Sequence, residues 1–372
     1  MRLAWLNIAC DRTRFVVTVL GIAAAVFLMV FQGSTLIGFL HAASKIIDST
    51  DADIWITARG VSCFEFPAPI ERRFVDLAHS VSGVENASPL CTRLVQFRKP
   101  DGSSQAVALI GADPDVGPQF PTPHLEAHSR ALEPQGLLVD KSNAQLLEVA
   151  RFPLEVEVNR QRAKVIGEIS GFSSFLGSPY VFASYSDAAQ YIGLPSDETT
   201  FILLRLKPEA NANRVKTALK ARLRTVDVWT REEFSRRARE YWISQTGAGG
   251  TILIAALLGF FVGLAIVSQS IYATTMENIE EFATLKAMGA SNRFVMGIVV
   301  SESLLCGIAG YLLGVLIAVP LVSAATNTIP WLSTPWWIPL AAIPPTLAMC
   351  VLASLVSVKK ALSVEPGRVF RA

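Results

Sequence analysis

His124 and His128 are two imidazoles four residues apart, a spacing that puts both on one face of a helix, where they can hold zinc. In the metalloprotease version of this spacing a glutamate follows the first histidine directly and acts as general base. Here Glu126 stands one place later, and Pro121 and Pro123 oppose a regular helix, so the stretch reads as a solvated loop and no metal site is expected. Gly171-Phe172-Ser173-Ser174-Phe175 begins like a nucleophile elbow, but Phe175 occupies the place of the second glycine. No Gly-Lys dipeptide occurs in the chain, which excludes a Walker-type loop for nucleotide phosphates. No catalytic residue is therefore expected, the chain is not expected to be an enzyme, and no cofactor is expected to bind it directly.

The segment from Thr275 to Arg293 carries more information. Ile279, Phe282, Leu285 and Met288 recur every third residue, which suggests an apolar stripe on a short helix, and Glu277, Glu280, Glu281 and Lys286 lie among them. Gly289 is a natural helix stop, and Ser291 is a natural cap for whatever follows.

The elements that would position this segment are membrane spans. Hydrophobic residues make up 51% of the 372 residues and charged residues only 17%, against roughly 25% charge in ordinary globular chains. Residues 15–40, 241–276 and 303–358 contain no charged residue and no histidine. A crossing needs about 20 apolar residues. The first two stretches fit one crossing each, and the third, extended back to Phe294, fits two. The first run is longer than a secretory signal core and reads as a retained anchor. Nine Lys and Arg residues lie near the termini and in the loop between spans 2 and 3, and none lies in the opposite loop from Ser323 to Trp337. The positive-inside rule then puts both termini in the cytoplasm of a multi-pass protein of the cell inner (plasma) membrane. The expected organisation is an interfacial helix at 1–14, spans at 15–40, 247–273, 294–322 and 338–358, a cytoplasmic helix at 274–293, a short outer loop at 323–337 and a cytoplasmic tail at 359–372. The fold class is an α-helical membrane protein with four transmembrane helices plus a large mixed α/β extracytoplasmic domain, residues 41–246, between spans 1 and 2.

On this topology the segment 275–293 faces the inner leaflet. Its apolar stripe can rest on lipid, but its acidic residues do not suit an anionic surface that attracts Lys and Arg, and docking to a partner protein explains them better. Gly259 and Gly263 in span 2, and Gly307, Gly310 and Gly314 in span 3, are candidate helix-packing residues because small side chains let backbones approach in lipid. Glu302 is an intramembrane charge, serving either inside the bundle or at the cytoplasmic headgroups. Cys63 and Cys91 are the cysteines of the outer domain and are either a disulfide or two unrelated thiols.

In the outer domain, Ile54–Thr57 reads as a strand and Pro69–Ser80 as a helix. Leu90–Phe97 and Val107–Ile110 read as strands about a Pro100-Asp101-Gly102 turn, and Leu154–Val158 with Ala163–Ile169 as a hairpin. Phe201–Leu206, Ala212–Leu223 and Val226–Trp229 read as strand, helix and strand. Thr230 with Glu233 forms a capping box for a helix expected to run on into span 2 as a stiff lever. The domain is close to electrically neutral, so no nucleic-acid partner is expected.

Glu281-Phe282-Ala283-Thr284-Leu285-Lys286-Ala287-Met288-Gly289-Ala290 resembles the signature after span 2 of MacB/FtsX-like ABC transporter permeases. Glu302-Ser303-Leu304 with Gly310-Tyr311-Leu312-Leu313-Gly314 resembles the family's span 3, and Lys360-Ala361 with Glu365-Pro366 its carboxyl-terminal motif. Leu3-Ala4-Trp5-Leu6, Ser88-Pro89-Leu90, Gly111-Ala112-Asp113-Pro114 and Tyr241-Trp242 are closest to the DevC type. The resemblance implies a homodimer (self as partner) whose cytoplasmic helix seats a separate ABC ATPase subunit, which uses ATP and Mg. It further implies mechanotransmission to the outer domain and tripartite efflux with a periplasmic adaptor (membrane fusion protein) and an outer-membrane channel. The alternative is an FtsX-like signalling module that activates an external hydrolase without transport. MacB's fused ATPase domain is absent from this sequence, and the family's Glu-Ile-Gly wording is replaced by Glu281-Phe282-Ala283.

Overall fold

The uncharged run after Arg14 folds as part of one helix, α1 (Arg12–Asp48), in a computed structural model that describes residues 12–113, 115–119, 134–277, 279–326 and 328–362. The expected interfacial helix at 1–14 lies almost entirely outside the described residues, as do His124 and His128. The chain divides into two compact units, Phe39–Ala248 and, separately, Met1–Gly38 with Gly249–Ala372.

The elements of the first unit follow α1 in order. They are β1 (Ile54–Ala58), β2 (Ile70–Glu71), α2 (Phe74–His79), β3 (Val84–Arg98), β4 (Ser104–Ala112), β5 (Gly136–Asp140), α3 (Lys141–Ala144), β6 (Leu154–Val158) and β7 (Gln161–Ile169). Then come β8 (Tyr180–Ser184), α4 (Tyr185–Ile192), β9 (Glu198–Thr199), β10 (Phe201–Leu206), α5 (Ala212–Arg222), β11 (Val226–Thr230) and α6 (Arg231–Ser244). The expected helix at 69–80 is shorter than its sequence pattern, because Ile70 and Glu71 pair with Thr199 and Glu198 as a small second sheet.

Two substructures share β3. In the order β11-β1-β10-β3, β1 is antiparallel to both β10 and β11, and the connections β1-α2-β3 and β10-α5-β11 make a split β-α-β arrangement. Ile54, Ile56, Ile202 and Leu204 face the two helices and bury against Phe74, Val215 and Leu219. Trp55 and Phe201 face the other way, onto Phe234 of α6 and onto Phe64 from the segment after β1, with Phe64 stacked on Phe201 at 5.4 Å. Both faces of the central strands are covered, which is why they read as unbroken apolar runs rather than alternating ones.

The far half of β3 belongs to a ring of β3-β4-β8-β5-β7-β6, closed where Phe97 and Arg98 pair with Val158 and Glu157. Val156 and Val158 point into it while Glu155 and Glu157 alternate outward. Helix α4 packs Ala188, Tyr191 and Ile192 against this interior, and a Cβ on Gly111 would overlap the Ala188 methyl. The β6–β7 turn is made by Asn159 and Arg160, both at positive φ.

Cys63 and Cys91 are free, buried thiols. The disulfide considered for them is not formed: Cys91 lies on β3 beside Gly111, whereas Cys63 lies in the segment after β1, next to Glu65.

The expected run-on of α6 is also corrected. The helix ends at Ser244, and Gly247 at φ +75° breaks it before α7 (Ala248–Glu277). The second unit continues with α8 (Ile279–Ala287), α9 (Asn292–Ala325), α10 (Trp337–Ala341) and α11 (Ile343–Leu362). Among the described residues four helical segments are long and apolar enough to cross a membrane: Phe15–Asp48, Ala248–Glu277, Asn292–Ala325 and Trp337–Leu355.

Candidate functional site

The short helix α8 is built to stop sharply. The N–H of Ala290 bonds to the carbonyl of Leu285 and the N–H of Gly289 to that of Lys286, each at 3.0 Å, with Gly289 at φ +91°. This double closure satisfies carbonyls that a helix end otherwise leaves open. Two residues later the Ser291 hydroxyl accepts from the N–H of Phe294 and starts α9. Glu280 and Glu281 occupy the first turn of α8 and Lys286 its last, in keeping with the helix dipole.

Phe282 and Ala283 are buried, and Phe282 joins the core of the spans with Val295 and Val299 of α9, with Leu285 packed against it. The apolar stripe is thus largely used within the unit. Met288 leaves it and is 72% exposed. At about 100° per residue, nine positions separate Ile279 from Met288 by half a turn of azimuth, so a three-residue recurrence drifts off the face it starts on. The open surface consists of Glu280, Glu281, Thr284, Ala287, Met288 and Gly289, with Phe294 half-exposed beyond the turn and Glu277 exposed before it. It has acidic side chains to pair with basic ones and apolar tips to fill a partner's pocket.

The spans around it are tightly joined. A Cβ on Gly310 would come within 2.5 Å of Ile22 and 3.0 Å of the Val19 carbonyl, and one on Gly314 within 2.8 Å of the Ala23 carbonyl. Gly307 faces the Cys350 sulfur, Gly259 faces Leu28, and a Cβ on Gly263 would overlap that of Ala25. Glu302 is half-buried in α9 and, among the described residues, takes no hydrogen bond or ion pair. Its neighbour Ser303 donates to the Cys350 carbonyl at 2.8 Å. Among the described residues no group of three or more His, Cys, Asp or Glu is placed to hold a metal.

A polar cluster in the large domain carried no sequence signal. Trp242 of α6 donates from Nε1 to the Glu65 carboxylate at 3.2 Å, with the Cys63 thiol and the Tyr180 hydroxyl beside it. Burial pushes the Glu65 carboxyl up to about 7 against the opposing hydrogen bonds. Burial and then the Glu65 charge push Cys63 up to about 12. Phe39, Phe66, Phe175 and Tyr241 surround Trp242, with Phe175 edge-on at 4.8 Å.

Residues 15–222 match the model of the MacB-like periplasmic core domain, and residues 253–366, which include α8, match the FtsX-like permease C-terminal model. The chain is similar to the uncharacterized ABC transporter permease Rv0072 of Mycobacterium tuberculosis, 24% identical over 90% of this chain and 88% of that protein. It is also similar to the uncharacterized ABC transporter permease protein Rv0987 of that organism, 25% identical over 88% of this chain but only 38% of the larger relative. Among solved structures, the periplasmic region of MacB from Actinobacillus actinomycetemcomitans aligns at 13% identity over 50% of this chain and 92% of that one, with a TM-score of 0.38. The extracellular domain of the transporter YknZ from Gram-positive bacteria aligns at 13% identity over 48% and 98%, with a TM-score of 0.34.

Proposed function

Because this chain belongs to the MacB/FtsX-like ABC transporter permeases, we propose that it is the membrane subunit of an exporter driven by a separate ATPase chain, with α8 as the seat of that ATPase. The observation that carries the reading is the division of α8 into two faces. Phe282 is buried in the core of the spans and Ala283 is buried next to it in the chain, while Glu280, Glu281 and Met288 stay open to a partner. A push on the open face reaches the spans through the buried one without a flexible joint, because Gly289 and Ser291 close both sides of the turn into α9.

In this reading the basic termini and α8 lie in the cytoplasm, the protein sits in the inner membrane, and the α/β unit lies outside. Two copies of the permease pair with two ATPase subunits, which bind the ATP and Mg. The transmitted motion works the outer unit against a periplasmic adaptor and an outer-membrane channel, as in DevC-type systems. Affinity purification of the tagged full chain from its native membrane tests the proposal. A co-purifying ATPase subunit that is lost from a Glu280→Lys, Glu281→Lys, Met288→Asp variant supports it. Thiol labelling that puts residue 284 on the same side as residue 160 removes it.

A further inference from the structure

Between the first, second and last spans the second unit holds a groove of 390 Å³, lined by Gln32 and Gly33 of α1, Ala256 and Phe260 of α7, and Trp337 and Pro345 of the last span. That span is broken at its start, α10 ending at Ala341 and α11 beginning at Ile343. We propose that this groove binds an acyl chain of a membrane phospholipid, taken from the leaflet on the side from which the large domain projects.

Two observations favour that occupant. The groove lies at the C-terminal end of the first span's apolar run and the N-terminal end of the second, so it is at hydrocarbon depth near one interface, where Trp336 is 80% and Trp337 43% exposed. Finally, Gln32 is the polar side chain of an otherwise apolar lining, and among the described residues its carboxamide makes no hydrogen bond. An amide unsatisfied in hydrocarbon is costly. The ester carbonyl at the head of an acyl chain would accept from its NH2.

The full chain reconstituted in bilayers containing a phospholipid with a photoactivatable diazirine in its acyl chain, followed by mapping of adducts, tests this. Adducts on residues 29–37 and 252–260 are expected severalfold above those on the exposed Leu316 and Ile317 of α9, which report ordinary surrounding lipid. Ala256→Trp, or Ala341→Trp if the first variant does not fold, should lower the groove adducts and leave those on α9 unchanged. Equal labelling of the two faces in the wild type overturns the proposal, as do groove adducts that survive filling. Ala256→Cys chains that join as disulfide dimers in the membrane also overturn it, because a second copy then occupies the groove.

Discussion

The N–H of Ala290 reaches the carbonyl of Leu285 at 3.0 Å across Gly289, which holds φ at +91°. An L-residue in that conformation costs about 1–2 kcal/mol, and a β-branched one is a worse fit still. Among the described residues, apart from its chain neighbours, nothing lies within 4 Å of where a Cβ would stand, so the penalty is one of backbone conformation and not of space. Gly289→Val is therefore expected to fray the end of α8 and reduce activation of the partner ATPase, with membrane content unchanged. Gly289→Asn, which tolerates the left-handed region, should stay near wild type. ATPase assays on both variants in reconstituted membranes decide the matter, and full activity of the valine variant would count against α8 as the force-bearing element.

The carboxyl of Glu65 gives the large domain a pH dependence of opposite sign to an ordinary surface acid. Its pKa rises from 4.5 to about 7 on folding, chiefly by burial, so the folded state holds the proton more tightly. Stability is then greatest below about 4.5, falls as pH rises towards 7, and is flat above, with a span of at most about 3 kcal/mol for this group. Glu65→Gln keeps an acceptor for Trp242 Nε1 and removes the titration. Melting temperatures of the full chain between pH 4.5 and 8 should fall more steeply for wild type than for the variant. Parallel curves would show that Glu65 is ionised throughout.

Backbone contact between spans makes Gly310 intolerant of any side chain. A Cβ there would meet Ile22 at 2.5 Å and the Val19 carbonyl at 3.0 Å, whereas one on Gly297 of the same helix meets nothing within 4 Å among the described residues. Overpacking of a fitted core costs typically 1–3 kcal/mol. Gly310→Ala is expected to lower the thermal midpoint of the detergent-solubilised protein by several degrees, and Gly297→Ala to leave it within error or raise it slightly.

Much of this architecture is legible in the residues because the signals are local. Uncharged runs mark the spans, and the spacing of Val215, Leu219 and Leu223 marks α5. The parts that escape a linear reading depend on distant partners. β3 runs for 15 residues through Pro89 because one end pairs with β10 and the other with β4 and β6, a closure that no local pattern announces. The Glu65 cluster escaped for the same reason: Trp242 and Glu65 are 177 residues apart. The break after α6 has a local mark, since Gly247 is the residue type that most readily takes the positive φ at which the helix ends. The drift of Met288 off the face of Ile279 follows from helix geometry alone.

The helix α6 starts from a reciprocal cap, and that cap is also tied to α5. Thr230 Oγ1 accepts from the N–H of Glu233, the Glu233 carboxylate accepts from the N–H of Thr230 at 3.0 Å, and Lys216 Nζ of α5 lies 2.7 Å from the same carboxylate. Loss of the threonine hydroxyl alone should cost about 1 kcal/mol, as for other caps. Removing Glu233 opens one cap bond and leaves Lys216, itself largely covered, without its counter-charge. Glu233→Ala is accordingly expected to destabilise the large domain more than Thr230→Ala, and Lys216→Met with Glu233→Ala together less than the two single losses summed. Denaturant unfolding of the wild type and the four variants, followed by tryptophan fluorescence, measures these losses, and strict additivity would show that the Lys216 contact contributes nothing to holding α5 against α6.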